Sequence, residues 1–204
     1  YGIESYYLMP SVYGESRRKR LGAFVVDKMD HFAAITKAIQ ANVDKGRPVV
    51  VILPTIEAMT NYDHSEEFKA LKGTGKTMTV SEKYDADTIR DRVIRATREG
   101  NITLFTKAFG RGVDFVLGEK SVKEKGGLHV IQTFLSEEES EAVQIEGRTA
   151  RQGQEGSYEL IITDDDLKSV NQDQAQLNGR KPQEVADTLT QTRRAFFNTV
   201  YSKQ

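Results

Sequence analysis

ITLFTKAFGRGVD, residues 102–114, begins as an apolar run and ends in a glycine-rich turn. A short, unbroken run of β-branched and aromatic residues is the pattern of a strand buried on both faces. Beyond it, Gly110 and Gly112 let the backbone turn tightly, and Arg111 and Asp114 put a donor fork and an acceptor into that turn. Three other runs read the same way: VVVIL at 49–53, LHVIQTF at 128–134 and YELIIT at 158–163. Helical patterns lie between them, at 29–44 with Phe32, Ile35 and Ile39 in line, and at 85–99 with Ala86, Ile89, Val93 and Ala96 in line. Strand alternates with helix. That order predicts an α/β fold, a mostly parallel sheet flanked by helices on both faces with right-handed crossovers, and a ligand site at the carboxyl ends of the strands.

The flanks are less regular. Residues 1–10 and 24–26 read as edge or lead-in strands around a basic turn, RRKR at 17–20, which is a solvated turn more readily than a nucleic-acid patch. SEEESE at 136–141 reads as an acidic helix start, suited to the positive end of a helix dipole. Gly179 and Pro182 open a C-terminal helix with Val185, Leu189, Phe196 and Val200 in line, broadened by Phe197 and Tyr201. It is too apolar to stand alone, so the expected division is a domain over 1–178 and a helix over 179–204 that packs on it or on a neighbour.

Composition sets wide bounds. With 204 residues and 38% of them hydrophobic, the chain has enough apolar material for a core. Its 29 Lys and Arg against 30 Asp and Glu leave a net charge of −1, which gives no global attraction to nucleic acid or membrane. The sequence shows neither a membrane span nor a signal peptide. Without cysteine there is no disulfide, thiolate metal site or thiol nucleophile. The chain opens on Tyr1 rather than Met, as expected of a piece of something longer.

LKGTGKT, residues 71–77, invites reading as a phosphate-binding loop. The first glycine of that motif falls on Ala70, the charged stretch 63–72 before it is paced like a helix end, and 78–80 after it reads as extended. A P-loop needs a strand before and a helix after, so both flanks are reversed. Gly73 and Gly75 then mark a helix stop and a turn into a short strand.

A second chemically loaded segment, QIEGRTARQG at 144–153, leads into the last strand. Arg148 and Arg151 stand at i, i+3, so a helical face would offer both guanidinium groups to one target, and paired arginines suit a phosphate. A surface arginine would account for Arg148 alone, and an ordinary loop for the glycines. Neither accounts for both segments in this order, each associated with a buried strand.

T-x-x-x-G-R-G-x-D at 106–114 followed by Q-x-x-G-R-x-x-R-Q-G at 144–153 resembles motifs V and VI of superfamily 2 helicase-type motors, on the second of their RecA-like domains. The similarity is greater to the SecA preprotein-translocase motor. KGRPVVVILPTIEAM resembles that family's K-G-Q-P-V-L-V-G-T-x-S-I-E, with Thr55, Ile56 and Glu57 in step. GRGVDFVLGEKSVKEKGGLHVI is similar to its G-R-G-T-D-I-x-L-G…G-G-L-x-V-I, and GRTARQGQEGSYELIITDDDL to its G-R-S-G-R-Q-G-D-x-G-S-x-x-F-x-L-S-x-E-D-D-L. The resemblance covers about 19–170. The chain departs at Lys107, where the family has Asn, at Ala108 and Phe109, where it has Met-Ala, at SEEES over 136–140, where it has a basic stretch, and at Glu146, where it has Arg.

The resemblance implies one half of an ATP site, facing a first RecA-like domain of the same polypeptide that carries Walker A and B and holds most of the Mg²⁺. It implies Arg151 as an arginine finger, with Arg148 as its partner or as a link back to the core. It also implies Asp114 as a ribose acceptor, Gly112 and Arg111 in the nucleotide-facing turn, Gln144 orienting the arginine segment and Thr106 capping the turn. The chain alone is then expected to be inactive, and no metal is expected on its own residues. A cytoplasmic location follows, with membrane association as part of a larger motor that acts on a polypeptide. Two other classes share the motifs: a nucleic-acid helicase half, which needs a basic, aromatic face and is disfavoured by the charge balance, and a degenerate binding module without ATPase activity.

Overall fold

The computed structural model describes residues 12–201 apart from 171 and 173, so the lead-in strand expected at 1–10 lies outside the described residues. In chain order the strands are β1 (Arg17–Val26), β2 (Val49–Leu53), β3 (Thr77–Val80), β4 (Ile102–Thr106), β5 (Leu128–Gln132) and β6 (Glu155–Thr163). The α-helices are α1 (His31–Val43), α2 (Ile56–Asp63), α3 (Glu66–Lys72), α4 (Ala86–Ala96), α5 (Lys120–Glu124), α6 (Glu139–Glu146), α7 (Asp164–Lys168) and α8 (Pro182–Tyr201). One six-stranded sheet runs β1-β6-β5-β2-β4-β3, and every adjacent pair is parallel.

The continuous apolar strands are buried because helices cover both faces. On one face Ile35, Ile39, Tyr62 and Phe68 pack against Val49, Val51, Leu104 and Ile131. On the other, Ala96, Val122 and Ile145 pack against Val50, Ile52, Phe105 and Val130. A third cluster joins Ala23, Leu160 and Ile162 to Leu167, Val185 and Leu189, so α7 and α8 close the β1 and β6 end. Phe196, Phe197, Val200 and Tyr201 lie outside the residues whose side chains are described.

RRKR is not a turn. It is the first half of β1, paired in register with 155–158 of β6. The register shifts between Arg20 and Ala23, where Gly22 adopts φ +101° and a Cβ would lie 2.3 Å from the backbone carbon of Pro182. That glycine lets α8 begin directly on the strand. LKGTGKT behaves as its flanks imply. The Ser65 hydroxyl caps α3 by accepting the Phe68 N–H, and Gly75 turns at φ +67° into β3. Lys76 precedes β3, at the amino end of the sheet, and donates to the Glu99 carbonyl.

At the same amino end sits a buried polar network. His129 Nδ1 lies 2.8 Å from Ser157 Oγ and its Nε2 lies 2.7 Å from Glu159 Oε1. Arg47 donates to Ser157 Oγ at 2.7 Å, to Asn42 Oδ1 and to the carbonyls of Gly126 and Gly127. No described helix is long and apolar enough to cross a membrane.

Candidate nucleotide-facing site

The chain leaves β4 at Thr106 into a single 3-10 turn, Lys107–Gly110, at the carboxyl end of the sheet. Phe109 anchors that turn on Phe105, ring centroids 5.7 Å apart. Gly110 must be glycine for packing, since a Cβ would lie 2.6 Å from Ile145 of α6. Gly112 is there for conformation: its φ is +75° and nothing stands within 4 Å of a Cβ. Thr106 occupies the N-cap position of the turn without a side-chain cap. Its buried hydroxyl donates to Glu82 Oε2 at 2.7 Å, from the loop after β3.

The arginines do not share a helical face. Helix α6 ends at Glu146 with Gly147 as its C-cap, and the chain beyond turns through positive φ at Ala150 and Gln152. The i, i+3 spacing therefore spans an irregular segment, and the two guanidinium groups part company. Arg148 turns inward: Nε donates to Gly110 O at 2.8 Å and to Gln144 O at 3.1 Å, and Nη1 donates to Val113 O. It ties the two segments together through backbone carbonyls. Burial first, then the neighbouring Arg151 charge, pull its pKa below the usual guanidinium range.

Arg151 turns outward. Its Nη1 pairs with Asp114 Oδ1 at 2.9 Å, with side chains 40% and 52% exposed, so this pair is open to solvent. Gln144 is exposed and borders, with Gly110, Arg111 and Lys107, a cleft of about 540 Å³ whose other wall carries Glu138 and Asp165. Six of the candidate residues thus cluster around the β4 exit and the end of α6, while Thr106 is held beneath them against Glu82.

Sequence reasoning passed over the groups that hold α6. Glu146 accepts from Arg20 Nε, its carbonyl accepts from Arg18 Nη1 at 3.0 Å, and Arg18 Nε lies 2.9 Å from its carboxylate. At the other end of α6, Arg194 clasps the Glu139 carboxylate with two donors, and Arg193 donates to the Ser136 carbonyl at 3.2 Å. The only hint in sequence was charge opposition between RRKR and IEGR, far apart in the chain.

No protein-family model matches the chain. The protein translocase subunit SecA 2 of Nitrosospira multiformis is 33% identical over 151 residues, covering 74% of this chain and 22% of that protein. The SecA subunit of Desulforapulum autotrophicum is 35% identical over 148 residues, covering 72% of this chain and 17% of that protein. In fold, domain 2 of the DEAD-box helicase Mss116p, solved bound to an RNA duplex, matches 76% of this chain and 57% of its own with a TM-score of 0.56 at 21% identity. The chain is a second RecA-like domain of the SecA type. The E. coli DEAD-box protein SrmB shares the fold as well, with a TM-score of 0.54 at 19% identity over 74% of this chain and 81% of that one.

The SecA-type domain thus spans about a fifth of the length of these two curated relatives, at 22% and 17%. Two of its departures from the SecA pattern now have a physical account. Glu146 is neutralised by Arg18 and Arg20, and Glu139, within the acidic helix start, by Arg194. Among the described residues, no group of three or more His, Cys, Asp or Glu could hold a metal ion.

Proposed function

We propose that this SecA-type domain is one half of an ATP-dependent motor, contributing to a nucleotide site that a first RecA-like domain with Walker A and B completes, and coupled to movement of a polypeptide. The observation that supports it most is the Arg151–Asp114 pair: a cation and an acceptor, solvent-facing, at the carboxyl end of the sheet. These residues fit a nucleotide. Arg151 would meet phosphate charge, and Asp114 would accept from a ribose hydroxyl. Arg148, already committed to the Gly110 and Val113 carbonyls, serves as the link between segments rather than as a second finger. Gly112 and Arg111 shape the nucleotide-facing turn, Gln144 stands at the cleft rim, and Thr106 braces the turn from below. The partner domain would supply the Mg²⁺ ligands.

A nucleic-acid track along the cleft would meet Glu138 and Asp165 together with Glu137, Glu141 and Asp166, which oppose a polyanion. The deciding experiment uses a motor containing both domains. Arg151→Ala should cut turnover by about 10³ to 10⁵ with nucleotide affinity nearly intact, because a finger acts mainly in the transition state. Asp114→Ala should weaken nucleotide binding instead. Normal turnover in Arg151→Ala would leave the segment as a relic and favour a binding module without ATPase activity.

A further inference from the structure

Parallel sheets are stable when helices cover both faces, because their strands are apolar on both. Edge strand β1 meets this on one side only. Ala23 and Val25 face the α8 cluster. The alternate residues Phe24 and Val26 are half-buried against the α1 face, and Leu21 beside them is 43% exposed. Between this strip and α1 runs a groove of about 660 Å³, with Ala34 and Ala38 along its helical wall and Ile161 in its floor. Among the described residues, no helix covers this groove beside α1.

Its net charge is positive, with five cations against two acids in its lining. Lys19, Lys37 and Lys45 stand along the rim, and none forms an ion pair with a described residue. Of its two acids, Glu155 pairs with Arg17 at 3.2 Å, and Glu159 accepts from His129 at 2.7 Å with its charge offset by the nearby Arg47 guanidinium. Arg47 is saturated by its own hydrogen bonds, and Lys125 pairs with Glu99. What is left over is positive, above an apolar floor.

We propose that the groove between α1 and β1 seats an amphipathic protein helix, apolar on its buried face and acidic along its flanks. A polyanion such as RNA would satisfy the lysines but leave the floor uncovered, and an uncharged helix would do the reverse. The alanines suit a helix, since small side chains let helix axes approach to the lower end of the usual 8–10 Å. From Lys19 to Val26 the strand runs roughly 25 Å at about 3.3 Å per residue, which matches a helix of about 16 residues. This surface lies away from the Arg151–Asp114 pair and does not depend on the nucleotide reading.

The test uses the full chain and two fluorescein-labelled synthetic helical peptides of about 16 residues that share one leucine face, with flanks of Glu in one and Lys in the other. Fluorescence anisotropy should show the Glu peptide binding at least about tenfold more tightly, a gap of roughly 1.4 kcal/mol, that narrows as salt rises. Ala38→Arg, which fills the groove, should abolish binding. Lys37→Glu with Lys45→Glu, both at exposed positions, should reverse the preference without lowering the melting temperature. Equal binding of the two peptides, no binding of the Glu peptide, or indifference to both variants overturns the proposal. So does a single-stranded RNA that outcompetes the Glu peptide and is itself indifferent to Ala38→Arg.

Discussion

Arg151 and Asp114 hold each other at 2.9 Å, so the outward cation and the outward acceptor of the site are each other's partner. A nucleotide that uses both must separate them, and an exposed pair of this kind is worth at most about 1 kcal/mol. The separation is cheap. LKGTGKT supplies no phosphate cradle, because Lys76 sits at the amino end of the sheet and donates to Glu99 O at 3.4 Å. The isolated chain is therefore expected to bind ATP no more tightly than millimolar and not to turn it over. Isothermal titration and a phosphate-release assay check this. Tight binding or turnover that disappears in Lys76→Ala would contradict the reading of LKGTGKT as a helix stop.

Glu146 tests how α6 is held. Its pair with Arg18 is shielded, with side chains 12% and 17% exposed, whereas Arg20 is 58% exposed. Shielded pairs couple more strongly than open ones. Double-mutant cycles in urea, built from Glu146→Gln with Arg18→Met or Arg20→Met, should give a coupling of about 1 to 3 kcal/mol for Arg18 and below about 1 kcal/mol for Arg20. Equal couplings near zero would mean that the charge reversal at Glu146 has no local compensation.

The two ends of the chain's legibility meet in β1 and β4. ITLFT could be read at once because a strand buried on both faces leaves a continuous apolar run. RRKRLGAFVV could be read only at 24–26, because its first half is stabilised by partners distant in sequence, Glu146 and Glu155, and its bulge by the contact of Gly22 with Pro182. The same limit explains the arginines. Spacing suggested a helical face, but Ala150 and Gln152 take positive φ, and this segment lies so close on Gly156 that a Cβ there would be 2.0 Å from Thr149 Oγ1. Nothing in the local residue types encodes that. The Thr106–Glu82 hydrogen bond joins the end of β4 to the loop after β3 and was equally invisible.

Helix α8 is expected to contribute to stability. Val185 and Leu189 are buried, at 6% and 1% exposure, in the cluster with Ala23, Leu160 and Ile162. Leu189→Ala should cost about 2 to 5 kcal/mol, and truncation after Asn178 should lower the melting temperature or expose dye-binding surface. Calorimetry and dye fluorescence on both variants are the check. No change in either would leave the C-terminal helix as a linker.

The buried network around His129 makes stability depend on mild acid. Burial, against the opposing pull of Glu159 and helped by the Arg47 and Lys45 charges, lowers the pKa of His129. The hydrogen bonds agree with a neutral ring: Arg47 donates to Ser157 Oγ, the hydroxyl proton then goes to His129 Nδ1, and Nε2–H goes to Glu159. As pH falls below the ordinary histidine value of about 6.5, the unfolded chain takes up the proton first, so this contribution is complete above that value and declines beneath it. The melting temperature should hold between pH 8 and 7 and drop by pH 5.5. His129→Gln, which starts less stable, should lose that part of the drop. Glu159→Gln keeps an acceptor at Nε2 but removes the charge that favours the imidazolium, so its drop should begin at the same pH and run deeper. A melting temperature of the unaltered chain that holds or rises between pH 7 and 5.5 would show that His129 is charged in the folded state.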